Sequence, residues 1–375
     1  MNSSPPPPTS PGARASSGPW VVREQHALFA ARVQHWPFAA LAESTWEDIE
    51  HPAQVQLLER QLRFISALHP GRDRLLPDQR LTVELRYLRR PGVAEIECVL
   101  LGKAFDPDPE KAKEAAQALW ERISGVMPVG YGVTLARTPD EFKAWAGEDV
   151  IAGDKANLVE IRRPAEILLW TEEKLPVRHL PVVYPFGWQP SGWEAVWAAQ
   201  ARLEAPSLIA VSLRPITLPP ADEIAVARMA YALNAVAAES QPPLSTRAAE
   251  AARCFQDVLR FWRSLFAQRV GVVGPAALGQ AVLAALSGPG WPRGATEAFG
   301  LAEIVQPSPE ELPVALANLV LLEQAAWGEA SLLEPFEQLR YISDAAGALC
   351  AFRLPLLPHR GALGIRVGAE FQPDA

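Results

Sequence analysis

Near the middle of the chain, Leu208-Ile209-Ala210-Val211-Ser212-Leu213 is apolar at both parities. A strand covered on both faces has this pattern, which predicts a central position in a sheet. Pro219 and Pro220 then join it to a helix, since proline suits a connection or a first helical turn. Along that helix Val226, Met229, Ala230, Leu233 and Ala237 recur at spacings of three and four and form one apolar stripe. Strands and helices of the same kind are expected on either side. From Trp20 to about Ser66 the pattern is helical, with Val55, Leu58, Leu62 and Ile65 on one stripe. Leu81, Val83, Leu85 and Tyr87 share one parity, as do Ile96, Cys98 and Leu100, and Arg89-Arg90-Pro91-Gly92 between them supplies turn residues for an antiparallel hairpin. Asp108 is the expected N-cap of a helix that buries Ala112, Ala116, Leu119 and Ile123. A strand over 131–135 and a helix capped at Thr138 follow.

Residues 148 to 184 hold short strands around Leu158–Ile161, Ile167–Trp170 and Leu180–Tyr184. Ser191-Gly192-Trp193-Glu194 has capping-box spacing and opens a helix reaching Leu203. Beyond the central helix, Gln241-Pro242-Pro243 breaks the chain, and Ala248, Ala252, Phe255, Leu259, Trp262 and Phe266 give a long helical signal. A strand over 269–273, a helix over 275–287, a Gly/Pro-rich turn over 288–294 and a capping box at Ser308–Glu311 complete the pattern, with a looser region after Leu301. The expectation is an α+β chain of two ferredoxin-like or related α/β sandwich units, over 20–150 and 151–300. A disordered Pro/Ser-rich tail, 1–19, precedes them, and a mixed helical extension with a linker segment, 301–375, follows.

Composition changes this picture little. Hydrophobic content of 49% and charged content of 21% are those of an ordinary globular protein, and a net charge of −8 gives no broad basic footprint for nucleic acid. Cys98, Cys254 and Cys350 lie apart in apolar contexts and read as reduced core residues. With no signal peptide and no long uncharged apolar run, a cytoplasmic chain without membrane insertion is expected.

The chemistry in the sequence is mostly negative. No G-x-x-x-x-G-K-[ST] string is present, and Gly288–Gly294 lacks the lysine and the amide donors a phosphate would need. Val272–Gly279 has the wrong glycine spacing for a dinucleotide fingerprint. No two of the six histidines (26, 35, 51, 69, 179 and 359) stand four apart, and no nucleophile elbow occurs. Asp106 and Asp108 read as capping residues. These patterns require no catalytic residue, cofactor or metal. Trp188, Trp193 and Trp197 cluster around one helix start, where aromatic side chains either fill a core or anchor an interface.

The last stretch carries a resemblance. Leu339-Arg340-Tyr341-Ile342-Ser343-Asp344-Ala345-Ala346-Gly347-Ala348-Leu349-Cys350-Ala351-Phe352-Arg353-Leu354-Pro355, followed by Gly364-Ile365-Arg366-Val367, resembles the segment that precedes the motor in bacterial HerA/FtsK-like and conjugation-type (type IV secretion) ATPases. Leu180–Pro185 and Ser207–Leu218 are similar to the α+β region of the same N-terminal domains. The chain stops at Ala375, about where the motor would begin, so either the motor is a separate polypeptide or the chain is a truncated product. The resemblance implies a non-catalytic assembly or adaptor module for a separately encoded DNA-translocating ATPase. Trp188, Trp193, Trp197, Tyr341, Phe352, Leu354 and Pro355 would form the contact surface, a homo-oligomer is compatible with it, and contact with DNA is left open. Two alternatives stand beside it: an enzyme with a site assembled from distant residues around His179 and Glu194, and a small-molecule or nucleic-acid binding module.

Overall fold

The computed structural model describes residues 19–35, 50–71, 80–93, 95–152, 157–171, 178–187, 192–287, 302–323, 327, 330, 332–355 and 365. The tail expected over 1–19, except for Pro19, lies outside them, as do Trp188 and the turn at 288–294. The first unit is built from β1 (Val21–Arg23), β2 (His26–His35), α1 (Glu50–Leu68), β3 (Arg80–Arg89), β4 (Ile96–Phe105), α2 (Pro109–Val126) and β5 (Tyr131–Leu135), followed by α3 (Pro139–Ala146) and α4 (Glu148–Ile151). Its strands lie in the order β5-β2-β4-β3, every pair antiparallel, which is the arrangement of a β-α-β-β-α-β ferredoxin-like unit. β1 extends the β5 edge along the other half of β2.

The second unit holds β6 (Leu158–Arg162), β7 (Ala165–Trp170), β8 (Arg178–Val183), α5 (Gly192–Ala201), β9 (Ser207–Ile216), α6 (Pro220–Glu239), α7 (Leu244–Arg260), β10 (Leu265–Val273), α8 (Ala276–Leu286) and β11 (Glu303–Val305). The order β11-β6-β10-β9 repeats that of the first unit, again all antiparallel. Two insertions distinguish it: the hairpin β7–β8 precedes the crossover helix, and the pair α6–α7 replaces a tight turn between β9 and β10. The insertions pack on each other as an outer lobe with its own core, including Val182, Leu233, Val236 and Phe255. Then come α9 (Leu312–Val320), α10 (Phe336–Leu339), β12 (Ile342–Ser343) and α11 (Ala345–Leu349).

β3 pairs antiparallel with β9 from Val83↔Leu213 to Arg89↔Ser207, which fuses the two units into one sheet. Because the joined strands are equivalent in the two units, the halves are related by an approximate twofold through the join. The crossover helices α1, α2, α5 and α8 therefore cover the same face, and α3, α4 and α9 cover part of the other. β9 is central and apolar on both faces, as its sequence requires. The α2 stripe of Ala112, Ala116, Leu119 and Ile123 is buried, and the Asp108 side chain accepts from Glu110 N at 3.0 Å.

Three expectations need correction. The stretch from Trp20 to Ser66 is not all helix, since His26–His35 is a strand between β4 and the β1/β5 edge. Buried on both faces, it shows no alternation. Gly102 opposite is required by Phe29, whose ring would lie 2.1 Å from a Cβ there. The long helix ends at Arg260, and Phe266 belongs to β10, where it packs on the other face's core. Part of the stretch expected as an extension after 301 is inside the fold: β11 completes the sheet, and β12 pairs with β10.

At the join, Arg86 of β3 is fully buried. Its Nε donates to Glu84 Oε1 at 2.5 Å, and its other nitrogens donate to the carbonyls of Ala146 and Leu319 near the C-terminal ends of α3 and α9. A cation is favoured at helix C-termini, so one guanidinium ties the equivalent helices of both units to the sheet. Burial pushes the Glu84 carboxyl up, and Arg86 opposes that shift. Arg86→Met strands the buried Glu84 and is expected to cost about 3–5 kcal/mol in urea unfolding, of which Glu84→Gln in the same chain recovers part. A loss below about 1 kcal/mol, within the range of an ordinary surface change, would show that this guanidinium does not hold the join.

Candidate functional site

The structure brings most of the sequence-predicted contact residues together, but inside the fold. Trp193 and Trp197 are 1% exposed and stack obliquely with Tyr87, with centroids 5.7 and 5.5 Å away. Phe352 and Leu354 are equally buried, and Pro355 is buried beside them. The segment 344–355 is held mainly through its backbone. Trp193 Nε1 donates to Cys350 O at 2.9 Å, Tyr87 OH to Arg353 O, and Gln268 Nε2 to Ala348 O at 3.0 Å. The Gln61 amide both donates to Leu354 O at 2.8 Å and accepts from Leu354 N at 3.1 Å, and Tyr131 OH donates to Pro355 O at 2.7 Å. These positions are core, so the surface expected there is absent; the apolar residues that suggest an interface instead fill the groove over the helical face. His179 is exposed on β8, while half-buried Glu194 faces Arg353 under this segment, so the pair does not form one site.

Tyr341 departs from this group. Its carbonyl accepts from Gln268 N at 2.6 Å beside β10, while its side chain lies on the opposite face of the sheet, where it lines a cleft of about 510 Å³. The floor consists of Arg162 from β6, Arg214 from β9 and Arg269 from β10, while Ile216, Leu218, Pro219 and Ile342 form apolar walls. Glu337 and Gln338 of α10 lie across from the floor, with Trp327 beside it. Strand alternation puts the three arginines on one face. Arg214 pairs across the ladder with Ala267, so Arg269, two residues on, is its diagonal neighbour.

Glu334 also lines the cleft. Glu160 accepts from Arg162 Nε at 2.9 Å and lies 3.2 Å from Arg269 Nε, so one carboxylate serves two guanidiniums. Both guanidiniums also lie over the Tyr341 ring, at 5.6 and 4.6 Å from its centroid, and Arg162 donates to Trp327 O at 2.5 Å. Arg214 has no carboxylate within ion-pair distance among the described residues, and its buried Nε has no hydrogen-bond partner. Burial, followed by repulsion from Arg80 and Arg269, pulls its basicity down. Glu337 accepts from Leu332 N at 2.9 Å and pairs with Arg340 at 3.4 Å.

Sequence reasoning missed this site because its arginines come from three strands with no shared motif. A signal was present: each arginine stands in a largely buried strand at a parity that faces the sheet's second side.

No protein-family model matches the chain, and no curated protein matches it either. The site's chemistry must therefore be argued from its own groups. These favour binding: fixed cations beside an apolar wall can hold an anion, and bidentate guanidinium geometry suits carboxylate or phosphate.

His69 supports one wall of the cleft. It lies just past the end of α1, with its ring edge-on to Phe266 at 5.4 Å; its Nε2 lies 3.2 Å from Ile216 O and its Nδ1 accepts from Gly71 N at 3.0 Å. These bonds require the neutral ring with the proton on Nε2. Burial lowers the pKa of His69 from 6.5, so the stability it contributes is present above 6.5 and lost as pH falls through its folded value. Between about pH 7.5 and about pH 5.5 the urea midpoint should fall, and fall less in His69→Gln; equal falls in both chains would remove His69 from the account.

Proposed function

We propose that this chain is a non-catalytic binding module that takes an anionic ligand into the arginine-floored cleft. The observation that carries this reading is Arg214, a half-buried cation without a carboxylate partner among the described residues, on a wall that already holds two other guanidiniums. A cation with only a structural role would be paired, because desolvating it unpaired costs stability. The cleft's volume is within the range of small-molecule sites, and its apolar walls provide contact area while the arginines fix orientation. Arg214→Gln should therefore stabilise the empty protein, by about 1 kcal/mol, and abolish any rise in melting temperature that sulfate or citrate gives over chloride at equal ionic strength. Destabilisation by Arg214→Gln, together with identical melting in all three anions, would remove the reading.

A second reading is favoured by a separate observation. Of the seven large hydrophobic side chains exposed among the described residues, Ile167, Leu169, Ile224 and Tyr231 belong to the inserted outer lobe, with exposures from 49% to 80%. Ile167 and Leu169 share the outward face of the β7–β8 hairpin, opposite Pro181 and His179. An apolar strip on a lobe added to a complete sheet fits an assembly role. Its occupant would be the separately encoded HerA/FtsK-like or conjugation-type ATPase that the 339–355 segment suggests. The wild-type chain should co-elute with the ATPase encoded beside it and change its hydrolysis rate, and Leu169→Glu should abolish both effects. Neither effect with the wild-type chain would eliminate this reading.

A further inference from the structure

A second charge lines the cleft, and what it implies rests on the cleft reading above, not on the assembly reading. Arg162 and Arg269 are engaged by Glu160, so Arg214 is the guanidinium left to meet a ligand. Glu334 comes from the side that carries Glu337 and Gln338, across from the strands. Its side chain is exposed, and among the described residues no cation is paired with it, Arg214 included. The cleft thus presents a guanidinium on its floor and a carboxylate on the facing side that do not meet.

The backbone under each charge is fixed. Arg214 sits in β9, opposite Ala267 of β10. Glu334 stands between two anchors: Leu332 is buried with its N–H donating to Glu337 at 2.9 Å, and Phe336 stacks on Phe255 of the outer lobe with centroids 6.1 Å apart. Neither backbone has to be ordered by the ligand, which lowers the entropy cost of binding. A ligand with charge of one sign suits only one of these groups. A monocarboxylate or a phosphate would bring negative charge toward Glu334, and an amine would bring positive charge toward Arg214. A zwitterion meets both. A free amino acid offers two carboxylate oxygens to the planar fork of Arg214 and three ammonium donors to Glu334 and the Gln338 amide oxygen. Ile216, Leu218 and Pro219 have no donor or acceptor in their side chains and must meet an apolar group. A volume of about 510 Å³ leaves room for a large one.

We infer that the cleft binds a free α-amino acid with a large apolar or aromatic side chain, its carboxylate on Arg214, its ammonium on Glu334 and its side chain against Ile216, Leu218 and Pro219.

Calorimetric titration of the intact chain tests this with leucine, methionine, phenylalanine and tryptophan. The same skeletons without the ammonium and without the carboxylate (for phenylalanine, 3-phenylpropanoate and phenethylamine), glycine and inorganic phosphate serve as comparisons. At least one of the four amino acids should bind about tenfold or more tighter than its two truncated relatives, glycine or phosphate, since each part of the ligand has its own wall. Arg214→Ala should weaken that amino acid about tenfold to a hundredfold and Glu334→Gln about tenfold, whereas Arg260→Ala, at the exposed end of α7, should not. Glu334→Gln should leave the relative without the ammonium bound as tightly as before or more tightly, an opposite response that identifies the ammonium as the partner of Glu334. Glu334 is exposed, so this variant decides the matter even if Arg214→Ala misfolds by circular dichroism, and amino-acid binding unchanged in it would overturn the inference. Equal or tighter binding of phosphate or of the relative without the ammonium would overturn the zwitterion while leaving an anion cleft. Tightest binding of the amine, or silence from every compound, would overturn both this inference and the reading beneath it.

Discussion

The structure depends on the pairing of two strands that would otherwise be sheet edges. A ferredoxin-like unit leaves its second strand at the border of the sheet, and an exposed border strand invites uncontrolled pairing. Here β3 and β9, the border strands of the two units, satisfy each other from Val83↔Leu213 to Arg89↔Ser207. The join places a fully buried arginine at its centre. Arg86 satisfies Glu84 on its own strand and closes the C-terminal ends of α3 and α9, one from each unit. Its buried charge is tolerable only because three groups converge on it. The α3 end is also shaped for this contact: Gly147, at φ +72°, caps the helix where any Cβ would meet Leu88 at 2.4 Å.

From this constraint follows the difference between the two faces. Four crossover helices lie on one side, and the groove over them is filled by the segment 344–355, held through carbonyl after carbonyl by Gln61, Tyr87, Tyr131, Trp193 and Gln268. On the other side α3, α4 and α9 cover part of the sheet between β2 and β6. Beyond them the outer ends of β6, β9 and β10 are roofed by α10 and Tyr341, which leaves the cleft. The polar side chains on that uncovered part of the sheet need water or a ligand.

Much of the fold was legible because its signals are local. The α2 stripe, its Asp108 cap, the Thr138 cap and the Ser308–Glu311 box, in which Glu311 N donates to Ser308 Oγ at 3.2 Å and Ser308 N to Glu311 Oε2 at 2.9 Å, each depend on a few neighbouring residues. The repeat of two α+β units was visible in element order alone. The strand at His26–His35 was not, since burial on both faces erases alternation and alanine leans toward helix. The role of the tryptophans was also out of reach. Whether an aromatic cluster anchors a partner or a distant piece of its own chain depends on where Cys350 and Arg353 come to lie, more than 150 residues away from Trp193. The cleft was the least legible of all, because Arg162, Arg214 and Arg269 meet only through the sheet order β9-β10-β6. No spacing within one segment encodes that meeting.

The anomalous difference map of crystals of this chain soaked in tungstate reads the cleft floor directly. An anion-binding floor predicts one strong peak within hydrogen-bond distance of the Arg214 guanidinium. An empty cleft in which a carboxylate of the chain itself closes on Arg214 would contradict the account.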